Sequence, residues 1–249
     1  METSNNKRRL DAIFFDIDDT LYSTTKFSEL ARRRAIRNMI EVGLQISEDE
    51  AYEELLEVIS EFSSNHGNHF DKLLSRIPPE KYKNAYPPLL VAAAIAGYHD
   101  TKQNELLPFL EAKKLLAKLY YETKLKIGVI TAGLTVKQAS KIWRLGIWHY
   151  FNPKAIFISD NIGISKPNPK IYQKACDEAG IKPEHAIYIG DNAPHDVDPA
   201  IKIGMISILI KTKGKYHDTK GFSNSNYTVN NHKEIWGILE RDFDFPLKT

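Results

Sequence analysis

The sequence has little cysteine and no long apolar run, and each absence excludes a class of protein. Its 249 residues include one cysteine, Cys176, so an internal disulfide framework is excluded and a reducing compartment is favoured. The apolar run after the basic residues at 7–9 is broken by Asp11 and is too short for a secretory signal. A second apolar run at 89–96 is far below the ~20 residues of a membrane-spanning helix. We therefore expect a cytoplasmic protein with no membrane partner.

The sequence also lacks an excess of either charge. It has 34 basic and 32 acidic residues, which leave a formal net charge of +2. This balance gives no indication of a nucleic-acid partner. The chain contains no internal repeat and no low-complexity linker, and 42% of its residues are hydrophobic. Its length and composition are those of a globular protein with one large domain or two modest ones.

Three carboxylates directly follow a short apolar run in the stretch A-I-F-F-D-I-D-D-T-L at 12–21. An apolar run of this length is typical of a strand that is buried on both faces. Asp16, Asp18 and Asp19 would repel one another at its end unless a cation neutralised them. Magnesium is bound in proteins by one or two carboxylates together with waters and substrate phosphate. The stretch therefore predicts a magnesium-dependent active site.

The order of periodic segments predicts the fold. Helical spacing of apolar residues covers about 24–100, and nothing in this block alternates as a strand does. Beyond it, apolar strands at 125–130, 155–158, 186–189 and 205–210 alternate with helices. This alternation predicts an α/β fold, a doubly wound, Rossmann-like parallel sheet, with an inserted all-helical domain. We place the core at 1–22 and 104–249 and the inserted domain at 23–103.

Polar residues follow the predicted strands at the points where they end. They are Asp16 and Asp18 after the first strand, Thr131 after the second, Lys166 beyond the third, and Asp191 with Asp196 after the fourth. Ligands of doubly wound sheets bind outside the carboxyl ends of the strands. We therefore expect these carboxylates, the hydroxyl and the ammonium group to face a common point.

Four motifs in order resemble those of the haloacid dehalogenase superfamily of phosphohydrolases over roughly 14–205. The first is D-I-D-D-T-L at 16–21, and the second is the apolar strand that ends in T-A-G at 131–133. The third is Lys166 before Pro167, and the fourth is G-D-N-A-P-H-D at 190–196. The helical block between the first two motifs resembles the cap domain of the first class of this family.

The resemblance implies a magnesium-dependent phosphatase that acts on a small phosphorylated metabolite, such as a sugar, triose or glycolate phosphate. Asp16 would attack phosphorus to form an aspartyl-phosphate, and Asp18 would protonate the leaving alcohol and later activate water. The magnesium ion would be held by the Asp16 carboxylate, the Asp18 backbone carbonyl and Asp191. Asp196 would be a ligand through water or an orienting partner.

The resemblance also implies that Thr131, Ala132 and Lys166 bind the phosphoryl oxygens, with Thr131 and Lys166 as members of the catalytic set. Taken alone, Thr131 is a strand-end hydroxyl and Lys166 a solvated loop lysine. Asp196 could instead be the N-cap of the following helix. Asp19 is assigned to the turn or to helix capping, because its side chain is expected to point away from those of Asp16 and Asp18.

Alternative functions remain open at this point. A haloacid dehalogenase of the same fold is disfavoured, because family members of that type lack the acid at the Asp18 position. A phosphomutase has the same four motifs and differs in how its cap limits water. A phosphoacceptor signalling domain also unites acids, a threonine and a lysine, but the D-x-D pair and the insertion disfavour it. The sequence does not decide between a monomer and a homodimer.

Overall fold

The computed structural model describes residues 7–63, 67–212 and 214–248. The chain divides into two compact units, one formed by Met1–Thr25 with Leu107–Thr249 and the other by Lys26–Leu106. The sequence placed the boundaries at 22/23 and 103/104, and the structure has them at 25/26 and 106/107. The role of the second unit as a cap domain stays a prediction.

The first unit is built on a parallel sheet with buried strands. The strands of the described residues are β1 (Arg8–Arg9), β2 (Ala12–Phe15), β3 (Lys126–Thr131), β4 (Ile156–Ile158), β5 (Ala186–Gly190), β6 (Ile206–Ile210), β7 (Tyr227–Val229) and β8 (Phe243–Asp244). Strands β2 to β7 form a six-stranded sheet in the order β4-β3-β2-β5-β6-β7, and every pairing in it is parallel. The short β1 and β8 pair with each other.

Helices connect the strands and also form the second unit. They are α1 (Thr24–Glu41), α2 (Glu48–Phe62), α3 (His69–Arg76), α4 (Pro87–Asn104), α5 (Leu110–Glu122), α6 (Thr135–Arg144), α7 (Ser159–Ile162), α8 (Pro169–Ala179), α9 (Asp198–Lys202) and α10 (Lys233–Asp242). The residue before α2 and the residue before α8 are side-chain N-caps: Ser47 accepts the N–H of Glu50, and Asn168 accepts the N–H of Lys170. None of the described helices is long and apolar enough to cross a membrane.

The core of the first unit explains why β2 reads as a continuous apolar run. All four of its residues are completely buried, as in parallel sheets covered on both faces. Ala12 and Phe14 belong to a cluster with residues of α8, among them Ile171 and Cys176. Cys176 is completely buried and packed in this cluster, and burial raises the pKa of its thiol to about 12.

The second unit has a helical core of its own. Apolar residues from α1 to α4, including Met39, Leu55, Leu73 and Leu90, form one buried cluster. On its surface, Arg33 and Arg37 of α1 form ion pairs with Glu48 at the start of α2. The predicted α/β fold with an inserted helical block is confirmed.

The strand order places a crevice at β2. The chain proceeds from β2 to β3 and β4 on one side and returns to β5, β6 and β7 on the other. Phe15 at the end of β2 is level with Val129 of β3 and Ile189 of β5. In such sheets the point where the strand order reverses is where ligands bind, so the ends of these three strands delimit the candidate site.

Candidate active site

Asp16 continues the central strand by one residue, and the chain then turns sharply. The N–H of Asp16 donates to the carbonyl of Ile189 at 2.9 Å. Asp19 has a φ of 52°, in the left-handed region where Asp and Asn are the most frequent residues after glycine. Its carboxylate accepts hydrogen bonds from the N–H and the hydroxyl of Thr25, at 3.3 and 3.1 Å, in the first turn of α1. Asp19 therefore stabilises the turn, in agreement with its predicted role.

Lys166 forms ion pairs with two carboxylates from different strand ends. Its ammonium nitrogen lies 2.7 Å from Asp16 Oδ1 and 2.6 Å from Asp196 Oδ1. It also donates to the Tyr188 hydroxyl at 3.0 Å, and that hydroxyl donates to the carbonyl of Ile130 on β3 at 2.8 Å. Lys166 is only 8% exposed, so it belongs to the site and is not a solvated loop lysine.

Asp196 lies inside a π-helical turn, Ala193–Val197, that follows β5. Its side chain is buried and accepts the N–H of Asn192 at 2.9 Å. The alternative in which Asp196 caps the following helix is wrong, because Val197 occupies the N-cap position of α9. A Cβ atom at position 190 would collide with the Asp196 carboxylate. Gly190 therefore allows the close approach of Asp196 to the end of β5.

Asp16, Asp191 and Asp196 form a compact carboxylate cluster. One oxygen of each lies within 4.8 Å of the others, and all three residues are buried. Burial, together with the charges of Asp196 and Asp16, raises the pKa of Asp191 to about 8. Burial likewise raises the pKa of Asp16 to about 7, against the opposing effect of Lys166. Among the described residues, Asp191 Oδ2 has no hydrogen-bond partner, so the cluster has oxygen ligands to offer a divalent cation.

The Asp18 carboxylate has a different set of partners. Both of its oxygens contact the Lys141 ammonium group, at 2.6 and 2.7 Å. The hydroxyls of Tyr22 and Thr24 donate to Oδ1 at 2.5 and 2.8 Å, and Gln138 Nε2 donates to Oδ2 at 3.1 Å. Burial raises the pKa of Asp18, but the Lys141 charge and these hydrogen bonds outweigh it, so the pKa is lowered overall. In the protein without substrate, Asp18 is therefore ionised.

Thr131 ends β3, the strand paired with β2, and is 1% exposed. Its hydroxyl has no hydrogen-bond partner within the described ranges. The carbonyl of the next residue, Ala132, accepts Gln138 Nε2 at 2.6 Å. A buried hydroxyl without a partner is costly, and a bound anion could supply the missing acceptor.

The structure brings Asp16, Lys166, Asp191 and Asp196 together, whereas reasoning from the sequence missed Lys141, Gln138 and Tyr188. Gln138 and Lys141 are three residues apart on α6, the helix that follows the Thr131 motif. Their spacing puts them on one face of a helix, but the sequence does not show which neighbour that face meets. Tyr188 had no signal either, because an aromatic residue in a buried strand is ordinary packing.

Comparison with known proteins agrees with this geometry. The sequence profile described as "Haloacid dehalogenase-like hydrolase" matches residues 13–210 of this chain. This match covers the ends of β2, β3 and β5 and the loop that carries Lys166.

The chain belongs to the haloacid dehalogenase-like hydrolase family.

Two curated members of the family are similar over most of their length. A glyceraldehyde 3-phosphate phosphatase of Methanopyrus kandleri is 47% identical over 209 residues, which are 83% of this chain and 86% of the relative. A protein of the same name from Pyrococcus furiosus is 40% identical and covers 94% of this chain and 95% of its own. The predicted recognition of the family, and of a phosphoric monoester hydrolase within it, is confirmed.

A solved structure of the family supports the fold. The crystal structure of a haloacid dehalogenase-type phosphatase from Thermococcus onnurineus superimposes with a TM-score of 0.65. It is 22% identical and covers 94% of this chain and all of its own. At this identity the likeness concerns the fold.

Proposed function

We propose that the chain hydrolyses glyceraldehyde 3-phosphate to glyceraldehyde and inorganic phosphate. The observation that carries this substrate is the near-complete coverage of the Pyrococcus furiosus relative at 40% identity. Coverage of 94% of this chain takes in the inserted helical unit as well as the strand ends. Proteins with a common fold differ in substrate mainly through inserted segments and loops. Similarity over the inserted unit and the strand ends therefore supports a shared substrate.

The proposed reaction begins at Asp16. One carboxylate oxygen attacks phosphorus, the bond from phosphorus to the ester oxygen breaks, and an aspartyl-phosphate forms. The negative charge of the bound phosphate favours protonation of Asp18, and Asp18 donates this proton to the departing alkoxide. Asp18 then takes a proton from water, whose oxygen attacks phosphorus and releases Asp16 and inorganic phosphate. Lys166 and the free Thr131 hydroxyl, with the backbone at Ala132, would hold the phosphoryl oxygens.

Magnesium fits the carboxylate cluster by charge and by available ligands. The four carboxylates of Asp16, Asp18, Asp191 and Asp196 exceed the two ammonium groups of Lys141 and Lys166 by two charges. One divalent cation balances that excess. Asp16 and Asp191 would hold it, with the Asp18 carbonyl and, directly or through water, Asp196. When bound, the ion neutralises charge on the phosphoryl oxygens.

Glyceraldehyde 3-phosphate is expected to rank first by kcat/KM in a panel of phosphate esters assayed with magnesium. The panel contains dihydroxyacetone phosphate, phosphoglycolate, a hexose phosphate, a nucleoside monophosphate and p-nitrophenyl phosphate. We expect a lead of about tenfold or more over dihydroxyacetone phosphate, because a site fitted to one pattern of hydroxyl and carbonyl groups leaves polar atoms unpaired with the other. A higher rank for phosphoglycolate or a nucleotide would refute the substrate and leave the phosphatase chemistry intact.

Magnesium is expected to stabilise the protein more at high pH than at low pH. The pKa values of Asp16 and Asp191 are raised in the fold to about 7 and about 8 from 3.8. At pH values between 3.8 and about 8, the metal-free folded protein retains protons that the unfolded chain has lost. Its free energy of unfolding therefore falls as pH rises. Magnesium takes the place of those protons.

The measurement is the shift in Tm between EDTA and magnesium at about pH 5.5 and about pH 8.5. The larger shift is expected at the higher pH, and Asp191→Asn, which removes one titrating carboxylate, is expected to reduce the difference. Equal shifts at both pH values in the native protein would contradict the assignment of magnesium to this cluster.

The cytoplasmic location and the absence of nucleic-acid and membrane partners stay predictions. A small phosphorylated metabolite is the substrate class that the relatives support.

A further inference from the structure

Lys141 is a charged residue at the active site that none of the four motifs contains. It lies in the second half of α6, and its side chain is 20% exposed. The ammonium nitrogen lies 2.6 Å from one oxygen of Asp18 and 2.7 Å from the other. Contact with both oxygens restrains the rotation of the carboxylate as well as its position.

The helix that carries Lys141 is itself attached to the end of β3. Gln138, one turn earlier, donates to the Ala132 carbonyl at 2.6 Å and to Asp18 Oδ2 at 3.1 Å. Gln138 is 4% exposed, so this connection is shielded from water. Lys141 is thereby fixed relative to the backbone that follows Thr131.

Asp18 needs such support because it does not lie in a strand. It lies beyond the end of β2 and forms an isolated bridge with Tyr22, so pairing within the six-stranded sheet does not determine where its side chain points. The hydroxyls of Tyr22 and Thr24 donate to Oδ1, and both residues come from the segment directly after the turn. Gln138 and Lys141 of α6 contact Oδ2. The orientation of the carboxylate thus depends on α6.

We propose that Lys141 positions the Asp18 carboxylate for proton transfer to the leaving-group oxygen. This inference rests on the proposed function, in which Asp18 is the acid. Lys141 is a positioning residue: it transfers no proton itself and touches no reacting atom. As the bond from phosphorus to the ester oxygen breaks, the proton carried by Asp18 passes to that oxygen.

If Lys141 positions the acid, the loss of kcat/KM on replacing Lys141 should depend on the leaving group of the ester. An alkoxide needs a proton as it departs, whereas p-nitrophenolate is stable without one. Misplacing the Asp18 carboxyl group should therefore slow the hydrolysis of an alkyl phosphate and leave that of the aryl ester nearly unchanged. A residue that merely stabilised the fold would affect kcat/KM for both esters equally, since kcat/KM reports the steps through loss of the leaving group.

The test compares glyceraldehyde 3-phosphate with p-nitrophenyl phosphate for Lys141→Met, with magnesium present. We expect kcat/KM to fall about tenfold or more for the first ester and less than about threefold for the second. Lys141→Arg keeps the charge and can contact both carboxylate oxygens, so it is expected to restore most of the loss. The matched control is Lys174→Met, which removes a lysine paired with Glu178 on the surface of α8 and should leave both values unchanged.

Equal losses for the two esters, or no loss for either, would overturn the role of Lys141. Asp18→Asn, measured beside it, separates this failure from failure of the proposed mechanism. If Asp18→Asn slows only the alkyl ester strongly and Lys141→Met does not, the mechanism stands and the inference about Lys141 is wrong. If Asp18→Asn has no leaving-group dependence, the acid role itself is wrong.

Discussion

Replacing Asp16 with Asn is expected to lower kcat about 10⁴-fold or more, as removal of a nucleophile does in other covalent mechanisms. The amide oxygen of Asn is a poor nucleophile, and the substitution also removes the partner of Lys166 at 2.7 Å. The loss should appear with every ester, including p-nitrophenyl phosphate, because hydrolysis of each ester begins with the attack of Asp16 on phosphorus. Steady-state kinetics in saturating magnesium measure it.

Asp19→Asn is the matched control for this prediction. It is the same substitution in the same turn, and Asn accepts both the left-handed backbone and the helix-capping role of Asp19. We expect kcat to stay within about threefold of the native value. If the two variants lost activity equally, the effect would come from disturbing the turn, and the assignment of Asp16 as the nucleophile would be contradicted.

Lys166→Met is expected to destabilise the metal-free protein by about 3–5 kcal/mol, the cost of removing one partner from a buried ion pair. The variant leaves Asp16 and Asp196 buried without the ammonium group that lies 2.7 and 2.6 Å from them. The destabilisation should be smaller at low pH, because a carboxyl group that has lost its cation can take up a proton instead. Denaturant unfolding in EDTA at about pH 5.5 and about pH 8.5 measures both effects.

An exposed ion pair again supplies the control. Lys174 lies 2.7 Å from Glu178 with both side chains more than 40% exposed, and such pairs contribute about 0–1 kcal/mol. Lys174→Met should therefore change the free energy of unfolding little at either pH. If Lys166→Met were equally mild at high pH, the buried lysine would not be what neutralises the carboxylates.

The fold and the ends of the strands could be predicted because their signals are local. Buried parallel strands are continuous apolar runs, and β3, β5 and β6 were predicted to within a residue of their bounds. The rule that ligands bind at the carboxyl ends of the strands then placed Asp16 and Asp191 in one crevice although they are far apart in sequence.

The contacts around Asp18 could not be predicted, because they depend on how α6 is rotated against the sheet. The sequence gives the periodicity of a helix and not which of its polar residues faces a neighbouring loop. Lys141 and Gln138 therefore read as ordinary polar residues. For the same reason the sequence left two interpretations of Asp196 open, and only the path of the π-helical turn decides between them.

The shortest elements were also beyond prediction. Strands β1 and β8 have two residues each and pair across most of the chain, Arg8 with Phe243 and Arg9 with Asp244. Two residues carry no measurable period of hydrophobicity, so pairing of this kind follows only from the tertiary structure.

The most direct test of the account is to trap the phosphorylated enzyme. Native protein is mixed briefly with magnesium and glyceraldehyde 3-phosphate that carries radioactive phosphorus in its phosphate group. The mixture is quenched in acid, reduced with borohydride and digested with a protease. The account predicts label in the acid-quenched protein and, after reduction, homoserine at position 16 in the peptide that covers 12–21, with neither in Asp16→Asn. Phosphate release at the normal rate with no labelled protein, or with the modification at another residue, would contradict the assignment of Asp16 as the nucleophile.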